Sequence, residues 1–541
     1  MIYRQFYLFF FLFSLSLSLE ATDVSGVVYY ERIHPKNLGT ASYLDKDNIT
    51  KERAKEVQVE AIDPMGNCIA STFTDRDGVY ILNDIADFSR IKIRVSAKMF
   101  KKNRWDVKVI DNTNGDALYV IEGSIFDVGS TNKIRDLTAT TSNQSSAPFA
   151  ILDSIYQAMQ KIDKVDKKID LPPLRINWSV NNINSGTYYD GEDNIVLQGD
   201  QKGDSDEYDD HIIIHEWGHF FETKFSRADN IGGSHGTGNY LDIRVSFGEG
   251  FGNALSAMVT DDPIYFDTFG SNGWNMNIEQ AYHDTPGWFS EASIQRILYD
   301  LYDGHDDGED RLSLGFKPIY QILIDEQKDT PAFTSIFSFI NALKEKTPSD
   351  TEKIDAITAS EEIATIEDAY GSDRLATVKE STLPLYRDLI INQTLNNLCT
   401  INSYGIYNKL GNHKYIRFTI KEDDTYPIVI KASKGRDSDP DFVLFKTDPF
   451  EKISVQDSDS AGEENVHLAL AQGDYLLDLF DASYQNESCF NILIGNDIEE
   501  SNGSSTSSVG FGLPKNNFFA IFILLTILFV PLIFIRKELK V

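Results

Sequence analysis

Period-two alternation marks both ends of the chain, and a helical spacing marks its middle. VSGVVYYE (24–31) alternates apolar and polar positions, and KEVQVEAIDPMGNCIASTFTDRDGVYIL (55–82) reads strand, turn, strand, turn, strand. IKIRVSA (91–97) adds another alternating run. With Pro64-Met65-Gly66-Asn67 and Asp75-Arg76-Asp77-Gly78 as turns, the pattern predicts an antiparallel β-sandwich. From residue 148 the period lengthens. PFAILDSIYQAMQKIDKV (148–165), SFGEGFGNALSAMV (246–259) and SEASIQRILYDLYD (290–303) predict helices, as do 316–327, 332–345 and 375–397. INWSV (176–180) and NIVLQ (194–198) read as short strands. Beyond Cys399 alternation returns in HKYIRFTI (413–420), YPIVIKA (426–432), DFVLFKT (441–447) and DYLLDLF (474–480).

These runs predict a multidomain chain. An N-terminal antiparallel β-sandwich occupies 22–137, a polar linker 138–147, an α+β domain 148–397 and a C-terminal β-sandwich 398–496. At the N-terminus, Arg4 precedes an apolar run and then Ser18, Glu20 and Ala21, the build of a secretory signal peptide over 1–21. SNGSSTSSVGFG lies in a flexible stalk over 497–517. FFAIFILLTILFVPLIFI (518–535) reads as a transmembrane or surface-sorting helix, with a basic cytoplasmic tip over 536–541. The folded part is therefore expected outside the cytoplasm, held to the membrane by that helix or released. Oligomeric state is left open.

Composition narrows the partners. Lys and Arg number 50 against 83 Asp and Glu, a formal net charge of −33, which repels a phosphate backbone and excludes nucleic acid. The acidic stretches DSDEYDD (204–210) and DGHDDGED (303–310) are either calcium-binding or simply solvated loops. Of the three cysteines, Cys399 and Cys489 bracket the last β region, so a disulfide is expected there, with Cys68 left as a buried thiol.

The candidate chemistry sits in DDHIIIHEWGHFFE (209–222). On a helix His215 and His219 lie one turn apart on one face, so both imidazoles reach one zinc ion. Glu216 points away from that axis, toward the ion's open position, where it serves as general base. A catalytic zinc ion takes a third protein ligand, and Glu249, set among small and apolar residues, is the candidate. Asn253, one turn further on, is placed to hold a liganding histidine by its outer nitrogen.

Three resemblances follow from these residues. Val24-Ser25-Gly26-Val27-Val28 with Thr74-Asp75-Arg76-Asp77-Gly78-Val79-Tyr80 is similar to carboxypeptidase regulatory-like β-sandwich modules, which are accessory. Asp439-Pro440-Asp441-Phe442-Val443-Leu444-Phe445 with Gly473-Asp474-Tyr475 is similar to the pre-peptidase C-terminal domain of secreted proteases. His215-Glu216-Trp217-Gly218-His219 with Gly248-Glu249-Gly250-Phe251 resembles the gluzincin zinc metallopeptidases, fungalysin and thermolysin-like branches. That resemblance implies a zincin-like catalytic domain, one zinc ion on His215, His219 and Glu249, Glu216 as general base, and a protein or peptide substrate. It also implies a residue that stabilises the oxyanion. Tyr240 and His283 are the candidates, with His235 in the loop GGSHGTGN (232–239) behind them. One departure is Asn253, where the family carries Asp. The rival expectation is a catalytically inactive zinc-binding surface protein used in adhesion.

Overall fold

The computed structural model describes residues 21–39, 41–270, 273–280, 285–304, 311–371 and 382–495. Alternation does form strands at the N-terminus. In Ala21–Asn37, Val24, Val28 and Tyr30 are fully buried while the alternate residues Ser25, Val27 and Tyr29 are only partly so. This strand pairs antiparallel with Ala41–Arg53 on one side and Val79–Ala86 on the other. The Thr74–Tyr80 turn is fixed by its own side chains. Thr74 Oγ1 accepts from the Val57 amide at 2.9 Å and donates to the Ala54 carbonyl at 2.7 Å, and Asp75 Oδ1 accepts from the amides of Asp77 and Val79. Gly78, at φ +69°, takes the left-handed position in that turn.

The second sheet changes the expected architecture. It runs in the order Tyr188–Tyr189, Asn194–Leu197, Leu174–Trp178, Trp105–Asp111, Arg90–Lys101, Val57–Ile62, Cys68–Phe73. Leu174–Trp178 pairs in parallel with Trp105–Asp111, and helix α1 (Ala147–Val165) makes the crossover. In the other sheet, Gly273–Asn277 adds to Ala41–Arg53. The N-terminal sandwich thus shares both of its sheets with the middle of the chain. Residues 138–147, expected as a linker, comprise the end of strand Leu137–Ala139, a short 3-10 turn and the start of α1.

The four-part fold class is therefore corrected. The described chain is mostly β-sandwich with a few helices, and the described residues make one compact unit. Alternation identifies a strand but says nothing of which sheet completes its hydrogen bonds, so the join could not be read from pattern. The expected transmembrane or sorting helix over 518–535 lies outside the described residues, and among the described residues no helix is long and apolar enough to cross a membrane. The signal peptide, stalk and basic tip, and residues 305–310 of the second acidic stretch, also fall outside the described residues. A further expectation fails at 375–397. There Tyr386–Asp388 is a strand parallel to His413–Ile420, and Leu395–Ile401 is a strand against Glu487–Ile494.

Helices α2 (Asp210–Phe225), α3 (Ile243–Thr260) and α4 (Glu291–Tyr302) pack behind these sheets. Seventeen of the eighteen residues of α3 are buried, which explains its freedom from amphipathic striping. The C-terminal sandwich has a five-stranded and a four-stranded sheet around its own apolar core. Cys399 and Cys489, opposite each other across two strands, form a disulfide, and Cys68 is exposed rather than buried.

Candidate metal centre

The site is made where α2 crosses α3. Gly252 permits the crossing, since a Cβ there would lie 2.8 Å from His215 Nδ1. Gly250 does the same against α4, where a Cβ would meet Ile294 at 2.5 Å. Glycine inside a helix costs roughly 0.5–1 kcal/mol relative to alanine, and close approach is what this helix obtains in return.

The structure brings His215, His219 and Glu249 together, with donor atoms all within 4.8 Å of one another. His215 Nε2 lies 3.2 Å from Glu249 Oε2, His219 Nε2 lies 3.3 Å from the same oxygen, and the two Nε2 atoms are 3.0 Å apart. A tetrahedral ion with bonds of about 2.0–2.1 Å has ligands roughly 3.3 Å apart, so the donor set fits zinc with one position left open. His215 Nδ1 donates to Asn253 Oδ1 at 2.8 Å, and Asn253 Nδ2 donates to Gln295 Oε1 at 2.9 Å. That second bond orients the amide so that its oxygen faces the imidazole, leaving His215 Nε2 free as a ligand. An asparagine therefore stands where the resemblance implies aspartate, and it holds the imidazole without a charge.

Burial disfavours charge on both His219 and Glu249, yet the pair holds Glu249 well below the usual carboxylate range and pushes His219 up to about 10. A divalent cation also stabilises the carboxylate but requires neutral imidazoles, so metal binding here releases protons.

Glu216 does not join the ligand group. Its Oε2 accepts from the Tyr189 amide at 2.8 Å, in a strand at the edge of the sheet that lines the same cleft. The cleft has a volume of about 810 Å³.

Of the oxyanion candidates, Tyr240 stacks between Phe289 (4.6 Å) and Tyr404 (4.4 Å) and does not line the cleft, while His283 lies outside the described residues. His235 is the residue that arrives. Its Nε2 is 3.3 Å from Glu249 Oε2 and its Nδ1 is 2.8 Å from Glu291 Oε2. Asn230 Nδ2 donates to Glu249 Oε1 at 2.8 Å. The loop bearing Asn230 and His235 is clamped from the C-terminal sandwich. Asn408 Nδ2 donates to the Gly232 carbonyl at 2.7 Å, Tyr407 Oη to that of Ile231 at 2.8 Å, and the Leu410 amide to that of Tyr240 at 3.0 Å. Below the clamp, buried Arg244 of α3 pairs with Asp242 at 2.9 Å and with Asp478 of the sandwich at 2.7 Å.

Two acidic residues of the cleft, Glu222 and Asp267, escaped the sequence reading, whereas Asp204 and Asp206 belong to the stretch weighed there for calcium. Glu222, three residues beyond His219, is 1% exposed, and its Oε2 has no hydrogen-bond partner. Burial pushes its carboxyl up to about 8 against the pull of His219. Asp204, Asp206 and Asp267 converge within 4.8 Å on the cleft wall. The rest of 204–210 is structural: Asp209 holds Thr268, Asp210 pairs with Arg32, and Glu207 accepts from Trp178.

Residues 164–354 match the family model described as the Mycolysin C-terminal domain. The matched stretch contains α2, α3 and α4 and with them every residue of the centre. No curated protein matches the chain. Among solved structures, the pre-peptidase C-terminal domain of a Bacillus anthracis collagenase is similar at 12% identity, over 20% of this chain and 93% of that one, with a TM-score of 0.17. CorA, a surface-associated copper-binding protein of Methylomicrobium album BG8, matches at 6% identity over 20% of this chain and 98% of that one, TM-score 0.14. PliG, a periplasmic lysozyme inhibitor of Aeromonas hydrophila, matches at 13% identity over the same shares, TM-score 0.14. These three likenesses carry no argument about function.

Proposed function

We propose that this chain is an exported zinc-dependent metallopeptidase that hydrolyses peptide bonds in the cleft between α2, α3 and the edge strand. The observation that carries the reading is the convergence of His215 Nε2, His219 Nε2 and Glu249 Oε2 at tetrahedral spacing, with Glu216 beside them but outside the ligand group. When bound, zinc lowers the pKa of a coordinated water and polarises the scissile carbonyl. Glu216 takes the proton of the attacking water and returns it to the leaving amine, while the Tyr189 N–H keeps its carboxylate aimed. His235 donates toward the oxygen that becomes negative, a role for which Glu291 positions its ring.

The cleft also points to a substrate class. Asp204, Asp206, Glu216, Glu222, Asp267 and Glu291 line it, with no Lys or Arg among the described lining residues. An extended peptide carrying basic side chains complements that wall. The Cys399–Cys489 disulfide supports an oxidising, exported environment.

The rival is an inert zinc-binding surface protein, and the uncharged Asn253 favours it. Zinc content and cleavage of an unfolded protein, measured on the wild type and on Glu216→Gln, separate the two. Both proteins should hold one zinc ion, and the variant should lose a factor of roughly 10²–10⁴ in kcat. Wild type that holds zinc and cuts nothing supports the rival.

A further inference from the structure

On the reading of the cleft as a peptide-binding site, we infer that Glu222 sets its specificity, accepting the lysine or arginine side chain of a substrate residue beside the scissile bond.

Helix α2 fixes where that residue lies. His215, His219 and Glu222 stand at i, i+4 and i+7, so one face of the helix carries two of the metal-site residues and this carboxylate. Glu222 lines the same cleft, and the lining residues that follow it in the chain, Thr223, Ala228 and Gly232, are small. Three residues of helix beyond His219 rise about 4.5 Å, and an extended peptide advances about 3.3–3.6 Å per residue. A side chain that meets Glu222 therefore belongs to a substrate residue one or two positions from the bond held at the metal.

Nothing in the fold accounts for a carboxylate there. Glu222 is 1% exposed, and its Oε2 has no hydrogen-bond partner. Burial opposes its charge, His219 favours it, and Asp229 and Glu249 oppose it again. It also sits in the last turn of α2, where the helix dipole disfavours an anion. The cations nearest in sequence are engaged elsewhere. Lys224 pairs with Asp193 at 3.0 Å, and Arg227 holds Asp229 at 3.0 Å and the Thr330 carbonyl at 2.7 Å.

Other carboxylates of the cleft are in use. Glu216 accepts from the Tyr189 amide, Glu249 from Asn230, Asp204 from Gln198 and Asp206 from Thr187, while Glu291 meets His235. A buried acceptor left unmatched is costly, and a substrate that brings the donor removes the cost. An ammonium or guanidinium is the donor that also cancels the charge.

The test uses the zinc-loaded full chain and two peptides that differ at one residue, arginine or its uncharged isostere citrulline. On a Glu216→Gln background, which holds peptide uncut, the arginine peptide should bind roughly ten- to hundredfold more tightly. Adding Glu222→Gln keeps the shape and should erase that ratio with zinc content unchanged. Asp193→Asn removes a carboxylate outside the cleft and should preserve it. Wild type should cut within two residues of the arginine and cut the citrulline peptide more slowly. Binding with the expected ratio but no cleavage by wild type supports the subsite and sinks the peptidase reading. Cleavage of both peptides at equal rates sinks the subsite and leaves that reading standing. The inference is also overturned if the Glu216→Gln chain shows no preference for arginine, a comparison that needs no change at Glu222. It fails equally if Glu222→Gln retains the ratio, or if Asp193→Asn erases it as fully.

Discussion

Helix α3 carries two buried charge clusters within two turns, and they are built to opposite ends. At its N-terminus Arg244 lies between Asp242 and Asp478, with Tyr415 Oη donating to Asp242 at 2.6 Å. His413 completes the group through a 2.8 Å contact to Asp478. Here the chain supplies its own cation, and the guanidinium holds both carboxylates in place. Five residues on, Glu249 meets His215 and His219, nitrogen donors that are neutral when they serve as metal ligands. The first cluster is complete in the folded chain and holds the C-terminal sandwich to α3. On the reading proposed above, the second is the one that takes a zinc ion. A buried charge matched by the protein marks architecture, and one left for a small cation marks chemistry.

Breaking that contrast gives its clearest tests. The largest effect is expected for Glu249→Ala, which should strip zinc from the purified chain and take peptidase activity to background, with unfolding little changed; metal analysis beside the assay reads both. Arg244→Met should do the converse. It leaves Asp242 and Asp478 buried without their partner, at a cost of about 3–5 kcal/mol, visible as an earlier denaturation midpoint. Next comes His235→Phe, expected to lower kcat by about 10²–10³-fold while zinc content stays at one. If zinc is lost instead, His235 is a ligand.

The smallest effect comes from acid. Burial opposes ionisation of Asp242, but Arg244 outweighs it and brings the carboxyl down to about 2, from an ordinary 3.8. A depressed pKa contributes stability that is present above pH 3.8 and is lost as pH falls through about 2, worth about 2 kcal/mol. Denaturation measured across that window should show the loss in wild type and not in Asp242→Asn.

The sequence displayed one of these clusters plainly and hid the other. His215, Glu216 and His219 are legible because helical spacing alone puts them on one turn, and Glu249 stands out as a lone carboxylate among glycines and apolar residues. The Arg244 network joins residues more than two hundred positions apart, and nothing local announces such a pair. His235 comes from a loop with no periodicity, so its placement depends on the tertiary clamp. Tyr240 was a candidate through the resemblance, but its ring is claimed by Phe289 and Tyr404. Strands were read well where they alternate, whereas their membership of shared sheets was not. Glu222 sat inside a stretch read for its histidines, and only burial without a partner exposes it.

The clamp from residues 407–410 onto the His235 loop has a consequence in time. A chain emerging from the ribosome presents its metal ligands long before the strands that seat His235. Until the last sandwich has folded and docked, the loop that carries Asn230 and His235 lacks the hydrogen bonds that seat it beside Glu249. On the function proposed above, the order of synthesis thus withholds His235 from the site until the last sandwich has formed.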